Sequence, residues 1–388
     1  MASSSSTKNI VIIGAGFAGL ATFNALSPKL APKKYDDTNL ILITSRPFFT
    51  HLPATLRMLV TAEGKLEEQV LMPFPEKPKG KGEIITGTVV RIQPASSSGD
   101  EANPTTVGGL VVLEDGKEIP YSILVLATGT TWSGMLNFAN SKEEITQHAN
   151  EWREKFSEAK SIVLAGGGAV GVELAGEIKD YWPDKSVTIV NGQNLLFTDV
   201  YPDKWRKAVA DQLKQINVEL VLEDHIDNAE IHDGQVETRK GKKISTDLVV
   251  PTWGGKANTQ LVADSFGAET LTKQGLVEVE KTLQVRNHPR VFAVGDIISW
   301  SEQKQAAKCG AHATTVATNI LSLVDEKVAA TEYKGSMEAI LVSLGKNRGS
   351  AFLNTLWGVV LGSWFVKAVK SKGLMIEMMR GQYGLGKW

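Results

Sequence analysis

The chain is predicted to be an α/β protein with two Rossmann-like dinucleotide-binding domains, followed by a small C-terminal α+β segment. Gly14, Gly16 and Gly19 form a G-x-G-x-x-G turn directly after an apolar run, with Ala15, Phe17 and Ala18 in its remaining places. Gly166, Gly168 and Gly171 repeat that turn between a second apolar run and a second helix. A third signal is the run Val291-Phe292-Ala293-Val294-Gly295-Asp296, an apolar strand ending in Gly-Asp. In each turn the first glycine permits the tight reversal, the second lets the backbone approach a pyrophosphate, and the third lets the helix lie on the sheet. The helix that follows points its unpaired N–H groups and positive dipole end at the phosphates.

Residues 9–13 read as a buried strand, 18–26 carry apolar residues at helical spacing up to Pro28, and 40–43 read as a second strand. Between them, 28–38 is a surface loop rich in Pro, Lys and Asp. The runs 83–92, 110–113 and 122–127, interrupted by the polar loop 94–109, read as a meander added to the first unit. The pattern restarts with a strand at 161–165, a helix at 172–181 and a strand at 187–190. An amphipathic helix at 204–216, strand-like pieces at 219–222 and 247–251, and a small-residue helix at 305–323 complete the two units. Near the end, Leu353, Leu356, Trp357, Val360, Leu361, Trp364 and Phe365 recur at three- and four-residue intervals, which predicts a helix with one broad aromatic face.

With 388 residues, 42% hydrophobic and 22% charged, the chain suits two or three globular domains. Lys plus Arg total 42 against 43 Asp plus Glu, so no global field favours nucleic acid and none is expected as a partner. Cys309 is the one cysteine, which excludes a disulfide framework, a dithiol redox pair and a cysteine-rich metal site. The six histidines are scattered without ligand spacing, so no metal is expected. Residues 1–8 are Ser-rich with no secretory or transit pattern, and Ala2 removes the myristoylation signal, so cytoplasmic residence is expected.

Together with Ala127-Thr128-Gly129 after an apolar strand, these motifs make the chain resemble the two-dinucleotide-binding flavoprotein reductases of glutathione-reductase-like fold, over nearly its whole length. Residues 190–196, 303–320 and 341–374 are similar to the apoptosis-inducing factor homologues of the ferroptosis-suppressor or mitochondrion-associated-inducer-of-death type, relatives of type II NADH:quinone dehydrogenases. The resemblance implies a discontinuous FAD-binding domain of residues 8–135 and 255–330, an NAD(P)H-binding domain of 136–254 and a C-terminal cap of 331–388. It implies further that Asp296 bonds the ribityl chain of FAD and that Ala127, Thr128 and Gly129 line the passage between the domains. Arg57, six positions after His51, would meet the FAD diphosphate or adenosine, and the backbone of Val89 would contact adenine.

Both units lack the acid that ordinarily bonds the adenosine ribose. Thr44 or Ser45 stands there in the first unit and Asn191, 20 residues after Gly171, in the second. Without a carboxylate nothing repels a 2′-phosphate, so NADH and NADPH are both expected to serve; Asn191 reads equally as a hydrogen-bonding substitute for the acid.

The electron acceptor is the open question. The missing cysteine pair excludes disulfide reduction and persulfide chemistry, which leaves a quinone as the leading expectation. The alternatives are a reductase of a small electron-carrier protein and an NAD(P)H-sensing redox signalling or cell-death protein with incidental turnover. The aromatic C-terminal face would line a quinone tunnel, touch a bilayer or pack as core. Asn354, Thr355, Ser363 and the glycines make residues 351–369 a poor membrane span. The tail holds Lys367, Lys370, Lys372, Arg380 and Lys387 against Glu377, which would favour peripheral contact with a mitochondrial or other intracellular membrane surface; a solvated tail is the alternative. Glu173 and Lys370 are the candidates for chemistry. Glu173 would bond the nicotinamide side or position the acceptor, or else complement its helix dipole. Lys370, in a Lys-Ser pair like that of the family's terminal helix, would stabilise negative charge on reduced flavin or a quinone oxygen; the competing reading is a surface lysine. A homodimer is left open.

Overall fold

The computed structural model describes residues 7–95, 108–355 and 358–388. Most of the polar loop 94–109, and Leu356 and Trp357, lie outside the described residues. The strand β1 (Lys8–Ile13) is buried from Ile10 onward, as a central parallel strand covered on both faces requires. It is followed by helix α1 (Phe17–Leu26) and strand β2 (Thr38–Thr44), which completes the first strand-turn-helix-strand unit. Helix α2 (Leu52–Val60) comes next, then strands β3 (Glu83–Thr86) and β4 (Ile123–Leu126).

Helix α3 (Lys142–Glu158), capped by Ser141 on the Glu144 N–H, leads into the second unit. That unit consists of β5 (Ser161–Ala165), α4 (Ala169–Tyr181), β6 (Ser186–Asn191), α5 (Asp203–Gln215), β7 (Val218–Leu222) and β8 (Leu248–Pro251), its strands ordered β7-β6-β5-β8 and all parallel. The chain then returns. Strands β9 (Gln284–Val285) and β10 (His288–Ala293) join the first sheet, giving the order β9-β10-β4-β1-β2-β3. Helix α6 (Cys309–Val324) packs against α1 behind it. Two segments far apart in sequence thus build the first sheet, and the small-residue face of α6 lets α1 approach.

Two sequence expectations need correction. The run 83–92 is split: β3 extends the parallel sheet, while Val89–Pro94 pairs with Gly109–Leu113, which pairs in turn with Glu118–Tyr121, in a separate antiparallel meander. Gly87, between the two, donates to the carbonyl of Thr44 and turns the chain. The expected aromatic C-terminal helix is instead an antiparallel sheet of β11 (Ala339–Leu344), β12 (Arg348–Leu353) and β13 (Val359–Leu361). Leu353, Val360 and Leu361 lie on strands; among the described residues of that set, only Trp364 and Phe365 are helical, in the short Ser363–Val366 turn. Gly349 at φ +153° and Gly358 at φ +90° adopt backbone that a helix cannot use, and the β-branched pair Val359-Val360 favours the strand. Apolar spacing alone could not distinguish the two forms.

The last segment returns to the first domain. The imidazole of His51, at the start of α2, sits 2.7 Å from the carbonyl oxygen of Leu374 and donates to it through Nε2. Burial pushes the His51 pKa down to about 4, the Leu374 bond opposes that fall, and the charge of Lys370 adds to it. Because the folded pKa lies below the ordinary value of 6.5, the unfolded chain takes up this proton first as pH falls. The associated stability is complete above pH 6.5 and disappears toward pH 4, a loss of about 3 kcal/mol for the full shift. His51→Gln keeps a donor and cannot titrate, so its melting temperature is expected to fall less than that of the wild type between these pH values. Parallel falls in melts of the two proteins would contradict the assignment.

Candidate functional site

In both glycine turns the outer glycines are required by the protein and the middle one is not. A Cβ on Gly14 would overlap the carbonyl oxygen of Ala127, and one on Gly19 would overlap that of Gly14. Likewise a Cβ on Gly171 would overlap the carbonyl of Gly166, and Gly166 itself lies at φ +135°. Gly16 and Gly168, by contrast, have ordinary extended backbone and open space where a side chain would stand. No side chain caps α1 or α4, so the first N–H groups of each helix face that same space. A cradle of bare N–H groups that a methyl group would fill suits a diphosphate, which gains both contact and dipole. The residues present therefore fit two dinucleotides.

Around the first turn, Phe17 meets Phe49 edge-on at 4.9 Å and lies 6.1 Å from both His51 and Tyr383, with Ala15 and Ala18 buried beside it. Gly295, at φ +77°, approaches this turn so closely that its Cβ would lie 2.8 Å from that of Ala18. This brings the half-buried Asp296 alongside the first cradle, where its carboxylate accepts from Thr130 at 2.7 Å. Ala127 is buried under Gly14, and Thr128 donates to the Asn258 carbonyl at 2.5 Å, so Ala127, Thr128 and Gly129 span the strands between the two units. Val89 lies two residues beyond Gly87, which is bonded to Thr44 at the end of β2.

The second turn differs at its acid position. Asn191 accepts from the Gly167 N–H at 3.2 Å and donates to the carbonyls of Gln193 and Leu195. Both amide hydrogens are spent on the protein, so Asn191 shapes the turn from within it.

Glu173 and Lys370, 197 positions apart, meet. Lys370 Nζ lies 2.5 Å from Glu173 Oε1, and the same oxygen accepts from the Ser343 N–H at 2.8 Å and hydroxyl at 3.0 Å. Lys370 also donates to the Leu341 carbonyl. Gly176 makes this possible: a Cβ there would overlap Leu344, so only glycine lets α4 lie directly on β11. Lys370 is buried, against the surface reading, and Glu173 stands in the second turn of α4 because the helix begins at Ala169. One turn further on, Glu177 receives Arg57 in a bidentate pair at 2.7 and 2.9 Å. Burial pushes the Glu177 carboxyl up, and Arg57 pulls it back. Arg57 also donates to the carbonyls of Ser371 and Lys372. Arg57, expected at the FAD diphosphate or adenosine, thus directs its guanidinium to Glu177 and the C-terminal segment.

A second buried network went unread in the sequence. His312 accepts from the Gly295 N–H through Nδ1, at 3.1 Å, which leaves Nε2 to donate to Glu302 at 2.9 Å. Tyr333 donates to the other oxygen of Glu302, and Lys308 bonds Glu338 at 2.5 Å. Burial pushes the Glu302 carboxyl up, but the His312 and Tyr333 bonds and the neighbouring charges hold it below the usual range. The network stiffens the Gly295-Asp296 turn from behind. Its only sequence signal was a histidine on the inner face of the small-residue helix.

Comparison with known proteins gives a consistent result. The family model for pyridine nucleotide-disulphide oxidoreductases matches residues 8–315. An FAD-dependent oxidoreductase of Flammulina velutipes is 42% identical over 333 residues, 85% of this chain and 100% of its own length. Apoptosis-inducing factor homolog B of Dictyostelium discoideum is 29% identical, covering 96% of each chain. Ferroptosis suppressor protein 1 of Taeniopygia guttata is 29% identical over 95% of this chain and 94% of its own. In fold, the sulfide:quinone oxidoreductase of Aquifex aeolicus superposes with a TM-score of 0.74 at 17% identity, covering 97% of this chain and 91% of that one.

The glycine geometry separates ligand effects from folding effects. Gly16→Ala is expected to fold with unchanged melting temperature but to retain at least about tenfold less flavin after purification, because the methyl enters the phosphate space. Gly19→Ala, which collides with backbone, should fail to fold. Equal flavin content in Gly16→Ala and wild type, read from absorbance against protein concentration, would contradict the cradle.

Proposed function

The chain belongs to the pyridine nucleotide-disulphide oxidoreductase family, with FAD and a pyridine nucleotide as its cofactors, and on that premise we propose that it is an NAD(P)H:quinone oxidoreductase. The observation that carries this reading is the buried Glu173–Lys370 pair, in which the nucleotide-side helix and the C-terminal segment meet. When bound, FAD supplies a hydride acceptor and an electron relay. The protein's part is positional and electrostatic. The N–H groups of the two turns hold the diphosphates, and Asp296 receives the ribityl hydroxyls of FAD. Arg57 and Glu177 keep α4 at a fixed distance from the first domain. Lys370 places an ammonium group where negative charge develops on the reduced ring or on a quinone oxygen, and Glu173 with Ser343 fixes its direction.

A quinone suits this site better than a dithiol. Burial pushes the Cys309 thiol up to about 12, and the charges of Asp296 and Glu302 add to the shift, so no thiolate forms near neutral pH. Both NADH and NADPH serve in this proposal, since no carboxylate replaces Asn191 at its own position. The C-terminal surface supports a peripheral seat on an anionic membrane, where a quinone dissolves: Trp364 is 75% exposed near Lys367 and Lys372. Among the described residues no helix is long and apolar enough to cross a membrane.

Glu173→Gln and Lys370→Met are each expected to retain FAD and to bleach with NADH, while quinone-dependent kcat/KM falls about 10- to 100-fold. Stopped-flow measurement of the reductive and oxidative half-reactions separates the two steps. Wild-type quinone turnover in both variants would remove these roles. Turnover with a small iron–sulfur carrier and none with any quinone would favour the carrier reductase instead.

A further inference from the structure

At the carboxyl end of the second sheet lies a cavity of about 520 Å³ whose wall includes Gly192, Asn194, Asp199, Arg206, Glu223 and Lys240. It adjoins the second glycine turn directly, because Asn191 binds Gly167 and Gly192 follows Asn191. In the sheet register Asn191 pairs with Leu222, so the next residue of the neighbouring strand, Glu223, stands beside Gly192. Glu223 holds an unusual backbone, φ +59°, anchored by its N–H on the Gln193 carbonyl. Gly192 has no room for a side chain, since the ring of His225 occupies that place.

The floor is rigid. Arg206 is buried and donates to the carbonyls of Leu195, Leu196 and Phe197 and to Asp203, so it is a fixed positive charge whose position the loop determines. Lys240 is exposed at the rim, with only its backbone held, by Asp224. The cavity therefore combines two acids, Glu223 on the neighbouring strand and Asp199, with an exposed cation, Lys240, and a buried one, Arg206, that Asp203 pairs, on the side of the glycine turn where an adenosine ribose lies when the diphosphate occupies the cradle.

We propose that Glu223 and Lys240 set the choice between the two nicotinamide dinucleotides. Glu223 supplies from the next strand the carboxylate missing at Asn191 and accepts the hydrogen bond of a ribose 2′-hydroxyl. Lys240, whose ammonium group is exposed at the rim, pairs with a 2′-phosphate. The acid disfavours the phosphorylated ligand by like-charge repulsion and the lysine favours it, so the site accepts both and the balance lies in these two side chains. The inference rests on the nucleotide reading of the second turn given above.

ADP-ribose and 2′-phospho-ADP-ribose carry the discriminating group without a redox ring, so calorimetric titration of the flavin-loaded full chain reads the site without turnover. Wild type should bind both. Glu223→Gln should shift the ratio of dissociation constants at least about tenfold toward the phosphorylated ligand, and Lys240→Met should shift it a similar amount the other way. Both residues are exposed, and unchanged melting temperatures would verify folding. Ratios within about twofold of wild type in both variants, with wild type binding normally, would overturn the assignment. Failure of wild type to bind either ligand would instead overturn the nucleotide reading itself.

Discussion

One face of helix α4 holds three parts of the chain in a single arrangement. Glu173 and Glu177 are four residues apart and so point the same way. One takes Lys370 from the C-terminal segment, the other Arg57 from the first domain, and Arg57 in turn holds the carbonyls of Ser371 and Lys372. All four charged side chains are buried. Removing one member of such a pair costs about 3–5 kcal/mol, because its partner stays buried and uncompensated. An apolar contact would glue the same surfaces together but would tolerate sliding. Paired charges with directional hydrogen bonds do not, and the second glycine turn, which starts the same helix, inherits the fixed geometry.

This constraint explains the division of labour among the glycines. Gly14, Gly19, Gly166, Gly171 and Gly176 are demanded by backbone that lies too close for a Cβ, whereas Gly16 and Gly168 meet nothing in the protein. The fold therefore explains five of them, and only a ligand explains the other two. Behind the first cradle, the His312–Glu302–Tyr333 network ties Gly295 to the strap that leads into β11, the strand carrying Ser343. The Asp296 turn and the Glu173–Lys370 pair are thus braced through the same piece of chain.

The two units and their glycine turns were legible in sequence because each is local: a run of β-branched residues, a turn only glycine can make, and a helix of small residues. So was the place of Asp296 at the end of a strand, since the run before it is apolar and β-branched. The C-terminal sheet was not legible, because Leu353, Val360, Leu361, Trp364 and Phe365 repeat at intervals that suit a helix, and only the φ values at Gly349 and Gly358 exclude it. Pairing was the other blind spot. Glu173 and Lys370 were identifiable singly as candidates, but nothing local says that residues 197 positions apart share one oxygen. Arg57 is a second case: expected at the FAD diphosphate or adenosine, it pairs with Glu177, 120 positions away. Asn191, at the acid's place, bonds the backbone of Gly167, Gln193 and Leu195, contacts that no local pattern announces.

The proposed function requires that flavin and nicotinamide held at the two glycine turns pass electrons to a quinone without a thiol. Its most direct test is the visible absorbance of the purified full chain, titrated anaerobically with NADH and then with a soluble quinone. A yellow protein that bleaches with the first addition and recovers its colour with the second is the predicted result. A colourless protein that takes up no flavin on reconstitution, or a bleached one that stays bleached in excess quinone, would contradict it.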